Sequence, residues 1–112
     1  MKELFSGMRT KVYISVPING RKEETLLEKR IKAIEYSEKI KGELVLSGYD
    51  AITPFDVCCK DADENECIGK DITALLNSDA IYLCAGWRNS KGCQLELLAA
   101  QIYGKEIIKD EL

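Results

Sequence analysis

Glu96 is the one charged side chain between Lys91 and Lys105. It sits in the stretch Cys93-Gln94-Leu95-Glu96-Leu97-Leu98-Ala99-Ala100, which is otherwise apolar or neutral. An ionised carboxylate in such company must be solvated, paired or in use, because burying it alone costs several kcal/mol. Two readings follow: an acid at the wet rim of an amphipathic helix, or a working carboxylate beside the loop that precedes the helix. Asp71 is the second candidate. At the opening of a helix the macrodipole favours an acid, so simple end stabilisation would account for it. The functional reading is that the Asp71 helix leads into the next strand and the Glu96 helix leaves that strand, so both acids can face one cavity. Two carboxyl groups roughly 5 Å apart across a glycosidic bond serve as nucleophile and general acid when their surroundings separate their pKa values.

The segment between the third strand and the Glu96 helix, Gly86-Trp87-Arg88-Asn89-Ser90-Lys91-Gly92, joins small residues, a hydroxyl and two cations at a helix amino terminus. That composition suits an anion such as a phosphate; a Ser90 N-cap with solvated charges explains it equally well. Walker A is excluded, since Gly69-Lys70 is followed by Asp71 and no glycine lies five residues before Gly69. Gly86 to Gly92 also lacks the three glycines of a dinucleotide fingerprint. The chain has five cysteines and no histidine. Cys58, Cys59 and Cys67 have no CxxC spacing, so a structural zinc is not expected, and Ser-His-Asp or Cys-His catalysis has no histidine to use. Carboxylate chemistry remains.

These residues need a scaffold. Lys11 to Val16 is a β-branched and aromatic run stopped by Pro17 and Asn19-Gly20, which reads as a strand. Leu27, Ile31 and Ile34, with Leu26, Ala33, Ile40 and Leu44, mark a helix from Glu23 to about Leu46, closed by Gly48 and with a kink or early end expected near Gly42. Tyr49 to Thr53 is a second strand ended by Pro54, and Asp56 to Glu66 reads as a loop. A second helix presents Ile68, Ile72, Leu75 and Leu76. Ala80 to Ala85 is a third strand, central because it is apolar on both faces. A third helix presents Leu95, Leu98, Ala99 and Ile102, and after Gly104 a last strand runs over Lys105 to Ile108. This alternation requires right-handed crossovers between parallel strands. The fold class is α/β, a flavodoxin/Rossmann-like three-layer sandwich around a parallel sheet of four to five strands. Ligands then lie beyond the carboxyl ends of the strands, at Val16 to Arg21, Pro54 to Asp56 and Gly86 to Gly92.

The chain has 112 residues, 46% hydrophobic and 31% charged. These values describe one globular domain spanning residues 1–112. A net charge of -3 gives no field for a nucleic-acid polymer. No apolar run approaches the roughly 20 residues of a membrane span, and none near the start has signal-peptide length, so a reducing cytoplasm is expected. The closing Lys109-Asp110-Glu111-Leu112 spells a retention signal that is read only inside the endoplasmic reticulum, and is taken as coincidence.

Three segments together resemble the nucleoside 2-deoxyribosyltransferase-like superfamily, nearest its short uncharacterised branch, domain of unknown function 4406. They are Tyr13 to Arg21, Asp71 to Asp79 and Gly86 to Glu96. The resemblance runs from about Lys11 to Ile108, and the Gly-Trp…Ser-Lys-Gly…Glu segment is its most specific part. Characterised relatives, the deoxyribosyltransferases and the 2′-deoxynucleoside 5′-phosphate N-hydrolases, cleave the bond between a base and a deoxyribose. The resemblance implies Glu96 as nucleophile, Asp71 as the acid that assists the departing base, and Tyr13 beside the reacting sugar. It also implies that Ser90 meets the 5′-phosphate, that Ile18, Asn19, Gly20 and Arg21 touch the nucleotide, and that Trp87, Arg88 and Gly92 complete the substrate site. No metal or organic cofactor is implied, and a homodimer or higher homo-oligomer is. Val16 stands where many relatives have glycine, narrowing the approach to the first strand, and Cys93 replaces a small alanine. Hydrolase and transferase both stay open. So do a nucleotide-sensing or binding module without turnover and an interaction domain using Trp87 and Tyr103 as contacts.

Overall fold

The computed structural model describes residues 9–18, 25–58 and 63–110. The expected contacts at Asn19, Gly20 and Arg21 lie outside the described residues, as does Cys59. Four parallel strands form one sheet in the order β2-β1-β3-β4, with β1 Lys11–Ser15, β2 Asp50–Ile52, β3 Ala80–Leu83 and β4 Glu106–Lys109. Val12 stands opposite Ala51 on one side and Ala80 on the other, which makes β1 and β3 the inner pair. Helices α1 Leu26–Leu46, α3 Glu64–Leu76 and α4 Lys91–Ile102 supply the crossovers, and a single turn, α2 Pro54–Val57, follows β2.

The period of two along β1 divides the core. Ile14 and Val16 pack with Ala33 and Ile40 of α1. Tyr13 points the other way, into a cluster with Leu75 of α3, Ala100 of α4 and Leu83 of β3. The result is three layers: α1, the sheet, then α3 with α4. It also answers the concern over Val16, whose side chain packs in the α1 layer, on the opposite face of β1 from Tyr13.

Several boundaries differ from the sequence reading, each for a local reason. The loop expected over 56–66 is partly helical. The Asp56 carboxylate accepts from the Thr53 backbone N–H at 2.9 Å, holding the α2 turn. Asp63 caps α3 by accepting from the Glu66 N–H at 2.9 Å. The second long helix therefore starts at Glu64, and Asp71 lies well inside it rather than at its opening, where the dipole argument would apply. Helix α1 runs unbroken through Gly42, and Gly48 closes it with φ of +95°. Cys58 and Cys67 are joined as a disulfide, a pairing the expectation of reduced thiols did not anticipate.

The largest correction concerns which faces are buried. On α4 the sheet side is Cys93, Glu96 and Ala100, with Leu97 half-buried. Of the face marked by Leu95, Leu98, Ala99 and Ile102 in the sequence, Ala99 packs against the core, while Leu95, Leu98 and Ile102 are 44%, 52% and 67% exposed. On α1 the contact face is Ala33, Ser37 and Ile40, whereas Leu26, Leu27 and Ile31 face solvent. Ile68 of α3 is also exposed.

Candidate active site

β1 delivers two hydroxyls to the layer that holds α4. Tyr13 and Ser15 are two residues apart, so they share a strand face, and both reach Glu96. Tyr13 Oη donates to Glu96 Oε2 at 2.8 Å, and Ser15 Oγ donates to Oε1 at 2.6 Å. Each carboxylate oxygen thus has its own donor, and the side chain is only 8% exposed. Burial pushes the Glu96 pKa up to about 7, the hydroxyl bonds from Ser15 and Tyr13 hold it down, and the charge of Asp71 pushes it up again. Glu96 is therefore a buried acid, not one at a wet rim.

Asp71 joins it from α3. Its charge acts on both Glu96 and Tyr13, so the two acids stand in one electrostatic field. Burial raises the Asp71 pKa to about 6. Its Oδ1 is buried with no hydrogen-bond partner among the described residues. Burial, then the charges of Glu96 and Asp71, keep the Tyr13 phenol well above its ordinary value, so it remains a donor. Replacing Tyr13 by Phe removes a bond to the ionised form of Glu96, and such bonds are worth about 1.5–3 kcal/mol. The Glu96 pKa is expected to rise by roughly one unit or more. Carbon NMR of the labelled carboxyl measures this, and an unchanged or lower pKa would remove Tyr13 from the arrangement.

The loop before α4 is bound tightly to both neighbours. Gly86 has φ of +88°, a left-handed conformation that favours glycine, and starts a 3-10 turn over Trp87–Asn89. Gln94 donates its side-chain amide to the Arg88 carbonyl, tying the turn to the first turn of α4. Ser90 is the N-cap, its Oγ accepting from the Cys93 N–H at 3.2 Å. The buried Cys93 thiol, raised by desolvation, also meets the hydroxyls of Ser15 and Ser90, so Ser90 is linked to the Glu96 site through it. Trp87 is half-buried against the cluster containing Tyr13. Arg88 lies over its indole, 4.7 Å from the ring centroid. Ile18 is 39% exposed beyond β1. Gly92 lies in the first exposed turn of α4, where an added Cβ would meet only Ser90 Oγ at an ordinary 3.9 Å. No backbone approach there demands glycine.

The arrangement brings together Glu96, Asp71, Tyr13, Ser90 and Trp87. Ser15 was missed by sequence reasoning, although its spacing of two from Tyr13 on a strand was a usable signal. A groove of about 730 Å³ runs along another side of α3, lined by Lys11, Val57, Lys70 and Asn77 among others, and neither acid belongs to it. Among the described residues there is no group of three or more His, Cys, Asp or Glu side chains able to hold a metal ion. None of the described helices is long and apolar enough to cross a membrane.

The same architecture occurs in solved proteins. A 2-deoxyribosyltransferase from the psychrotolerant bacterium Bacillus psychrosaccharolyticus superposes with a TM-score of 0.62 at 16% identity, covering 89% of this chain and 71% of its own. The CMP N-glycosidase of Clostridium botulinum gives 0.61 at 18% identity over 89% and 70%. A 2-deoxyribosyltransferase from Leishmania mexicana gives 0.66 at 16% identity, over 89% of this chain and 63% of that one. No curated protein matches the sequence. At these identities the likeness carries the fold, while kinship rests on the match of residues 10–109 to a family described as a domain of unknown function (DUF4406), to which this chain belongs.

Proposed function

We propose that this chain cleaves the N-glycosidic bond of a nucleoside, deoxynucleoside or their 5′-monophosphates by a retaining mechanism. The observation that carries the reading is the Glu96 carboxylate, gripped at both oxygens by β1 hydroxyls, with a second acid, Asp71, in its field. Glu96 in its ionised form attacks C1′ of the sugar. The bond to the base breaks, and Asp71, protonated, gives its proton to the departing ring nitrogen. The product is a glycosyl ester on Glu96 and a free neutral base. Water resolves the ester in a hydrolase and a second base in a transferase. Tyr13 and Ser15 hold the nucleophile's orientation, and the Ser90 hydroxyl with Arg88 favours a phosphorylated substrate.

The solved relatives named as acting on deoxyribosyl groups and on CMP agree with this class of reaction. The test is incubation of the purified chain at high concentration with the common nucleosides and 5′-monophosphates, and chromatography for free base. Release by wild type and not by Glu96→Ala supports the proposal. Binding without release for every base supports the sensing module instead.

The reading includes self-association in the cytoplasm. The solvent side of α4 presents Leu95, Leu98, Ile102 and the neighbouring Tyr103 without a single charge. An uncharged patch meets its own copy with no like-charge penalty, as a two-fold interface requires. Sedimentation equilibrium is expected to give a multiple of 12.6 kDa. Leu98→Glu should restore the monomer mass with the circular dichroism unchanged. A wild-type monomer at high micromolar concentration would refute the interface.

A further inference from the structure

Helix α3 is fixed at one end and lightly held at the other. Its carboxyl half lies in the core, where Ala74 and Leu75 are buried and Lys105 Nζ donates to the Leu76 carbonyl at 2.9 Å. Its amino half does not. Asn65, Glu66, Ile68, Gly69 and Lys70 are exposed, and the groove of about 730 Å³ opens there, lined by Val57 of α2 and by Glu66, Gly69 and Lys70. Gly69 also lowers the helix propensity of this half. Its covalent hold is the Cys58–Cys67 disulfide. Cys58 follows α2, which is itself anchored, since Asp56 pairs with Lys41 of α1 at 3.0 Å and Phe55 packs with Ile14 and Ala33. Cys67 precedes Asp71 by four residues, one helical turn, so the two share a face of α3. The line of attachment runs from α1 through α2 and the bond to the candidate acid.

Asp71 depends on that attachment. Burial raises its pKa to about 6, and Glu96 of α4 and Tyr13 of β1 feel its charge from the neighbouring elements. Lightly packed helix ends open locally at low free energy, and a cross-link closing a short loop suppresses the opening. Both cysteines of the bond are half-buried, within reach of a small thiol. Cys84 and Cys93, by contrast, are fully buried thiols that desolvation keeps protonated and inert. In a reducing compartment a reachable disulfide is usually a transient or sensing bond, not a permanent staple.

We infer that the Cys58–Cys67 disulfide positions Asp71, and that this cysteine pair is a redox modification site through which thiol–disulfide exchange sets the activity of the chain. The inference rests on the proposed role of Asp71 in base departure, but the state of Asp71 can be measured without turnover. A dithiol reductant attacks one sulfur as thiolate, forms a mixed disulfide and releases the other cysteine as a thiol. Its second thiol then displaces the first cysteine. Two electrons and two protons pass to Cys58 and Cys67, and the reductant leaves as a cyclic disulfide. The amino half of α3 then frays as far as Gly69, and Asp71, two residues on, gains solvent and gives up its proton at neutral pH.

The experiment compares oxidised wild type, wild type reduced with dithiothreitol, and Cys58→Ser/Cys67→Ser, all in a Cys59→Ser background so that the adjoining thiol cannot exchange. Carbon NMR of labelled aspartate is expected to place the Asp71 pKa at about 6 in the oxidised chain and at least roughly one unit lower in the other two. Amide hydrogen exchange over residues 66–70 should quicken by about tenfold or more, with the amides of α1 unchanged. Each unit of fall cuts the protonated fraction at neutral pH about tenfold, so reduction should lower kcat/KM for a natural nucleoside or nucleotide by about that factor. For a substrate whose leaving group needs no proton the change should be less than about twofold. Reoxidation restores wild type, and the double variant ignores the reductant. An Asp71 pKa equal in both redox states would overturn the positioning role. So would protection lost equally from α1, which makes the bond a general staple, or equal losses for both kinds of leaving group. If no base is released from any substrate while the Asp71 pKa and the exchange over 66–70 follow the redox state, the glycosidic reading fails and the redox positioning stands.

Discussion

Glu96→Gln is expected to lose base release by about 10⁴-fold or more while becoming more stable than wild type at pH 8. The loss follows because an amide cannot form the glycosyl ester. The gain follows from proton linkage. An unfolded Glu ionises near 4.5, whereas burial raises folded Glu96 to about 7. Between these values the native state holds a proton that the unfolded state has released. The stability linked to that proton is fully present below about pH 4.5 and is lost as pH rises through about 7. Glutamine never ionises, so the variant's advantage should be small at pH 4.5, grow between, and reach on the order of 3 kcal/mol by pH 8. Both hydroxyls can still bond the amide, since Tyr13 donates to its oxygen and Ser15 can turn to accept from its nitrogen. Thermal melts at the two pH values measure this, and a shift of roughly ten degrees at pH 8 is expected for a domain of this size. A destabilised variant at pH 8, or equal differences at both pH values, would show that the carboxylate is not held at a cost to the fold.

Asp71→Asn is expected to lower kcat/KM for a natural nucleoside or nucleotide by about 10²–10⁴-fold, the usual contribution of a positioned general acid. Its pH dependence is the sharper test. The productive form carries Glu96 ionised and Asp71 protonated, with pKa values of about 7 and about 6, so the nucleophile is the weaker acid of the two. Wild-type kcat/KM should trace a bell centred near pH 6.5, with only roughly one molecule in twenty in the working protonation state at its peak. Removing Asp71 deletes the alkaline limb and leaves a curve that rises to a plateau. The midpoint of that curve should fall below about 7, because the Asp71 charge that raised Glu96 has gone. A substrate whose leaving group needs no proton should recover most of the lost rate. A bell that persists in Asp71→Asn, or a loss equal for both kinds of leaving group, would assign the proton to another residue.

The local alphabet of this chain was readable. The β-branched run at Val12 and Ile14, the αL closure at Gly48, the apolar Ala80 to Leu83 segment and the Ser90 cap all appear where their residue types require. So did the parallel order of alternating elements, and the isolation of Glu96 in an uncharged stretch. The start of α3 was also written locally, in Asp63 and Glu66, but a polar run with two cysteines hid it behind the appearance of a loop. Helix faces were a different matter. On α4, Leu95-Leu98-Ile102 and Cys93-Glu96-Ala100 both repeat at helical spacing, and the apolar choice was the wrong one for the sheet side.

Glu96's type and position along the chain were therefore set by sequence alone, since an acid among neutral residues must be solvated, paired or used. Its burial was decided only in three dimensions. The packing of α4 against the sheet places it on the β1 face that carries Tyr13 and Ser15, residues more than eighty positions away, and their hydroxyls hold both oxygens of the carboxylate. The same packing carries Asp71 into that field from the middle of α3. A pKa depends on which groups share a low-dielectric space, and no one-dimensional spacing encodes that distance.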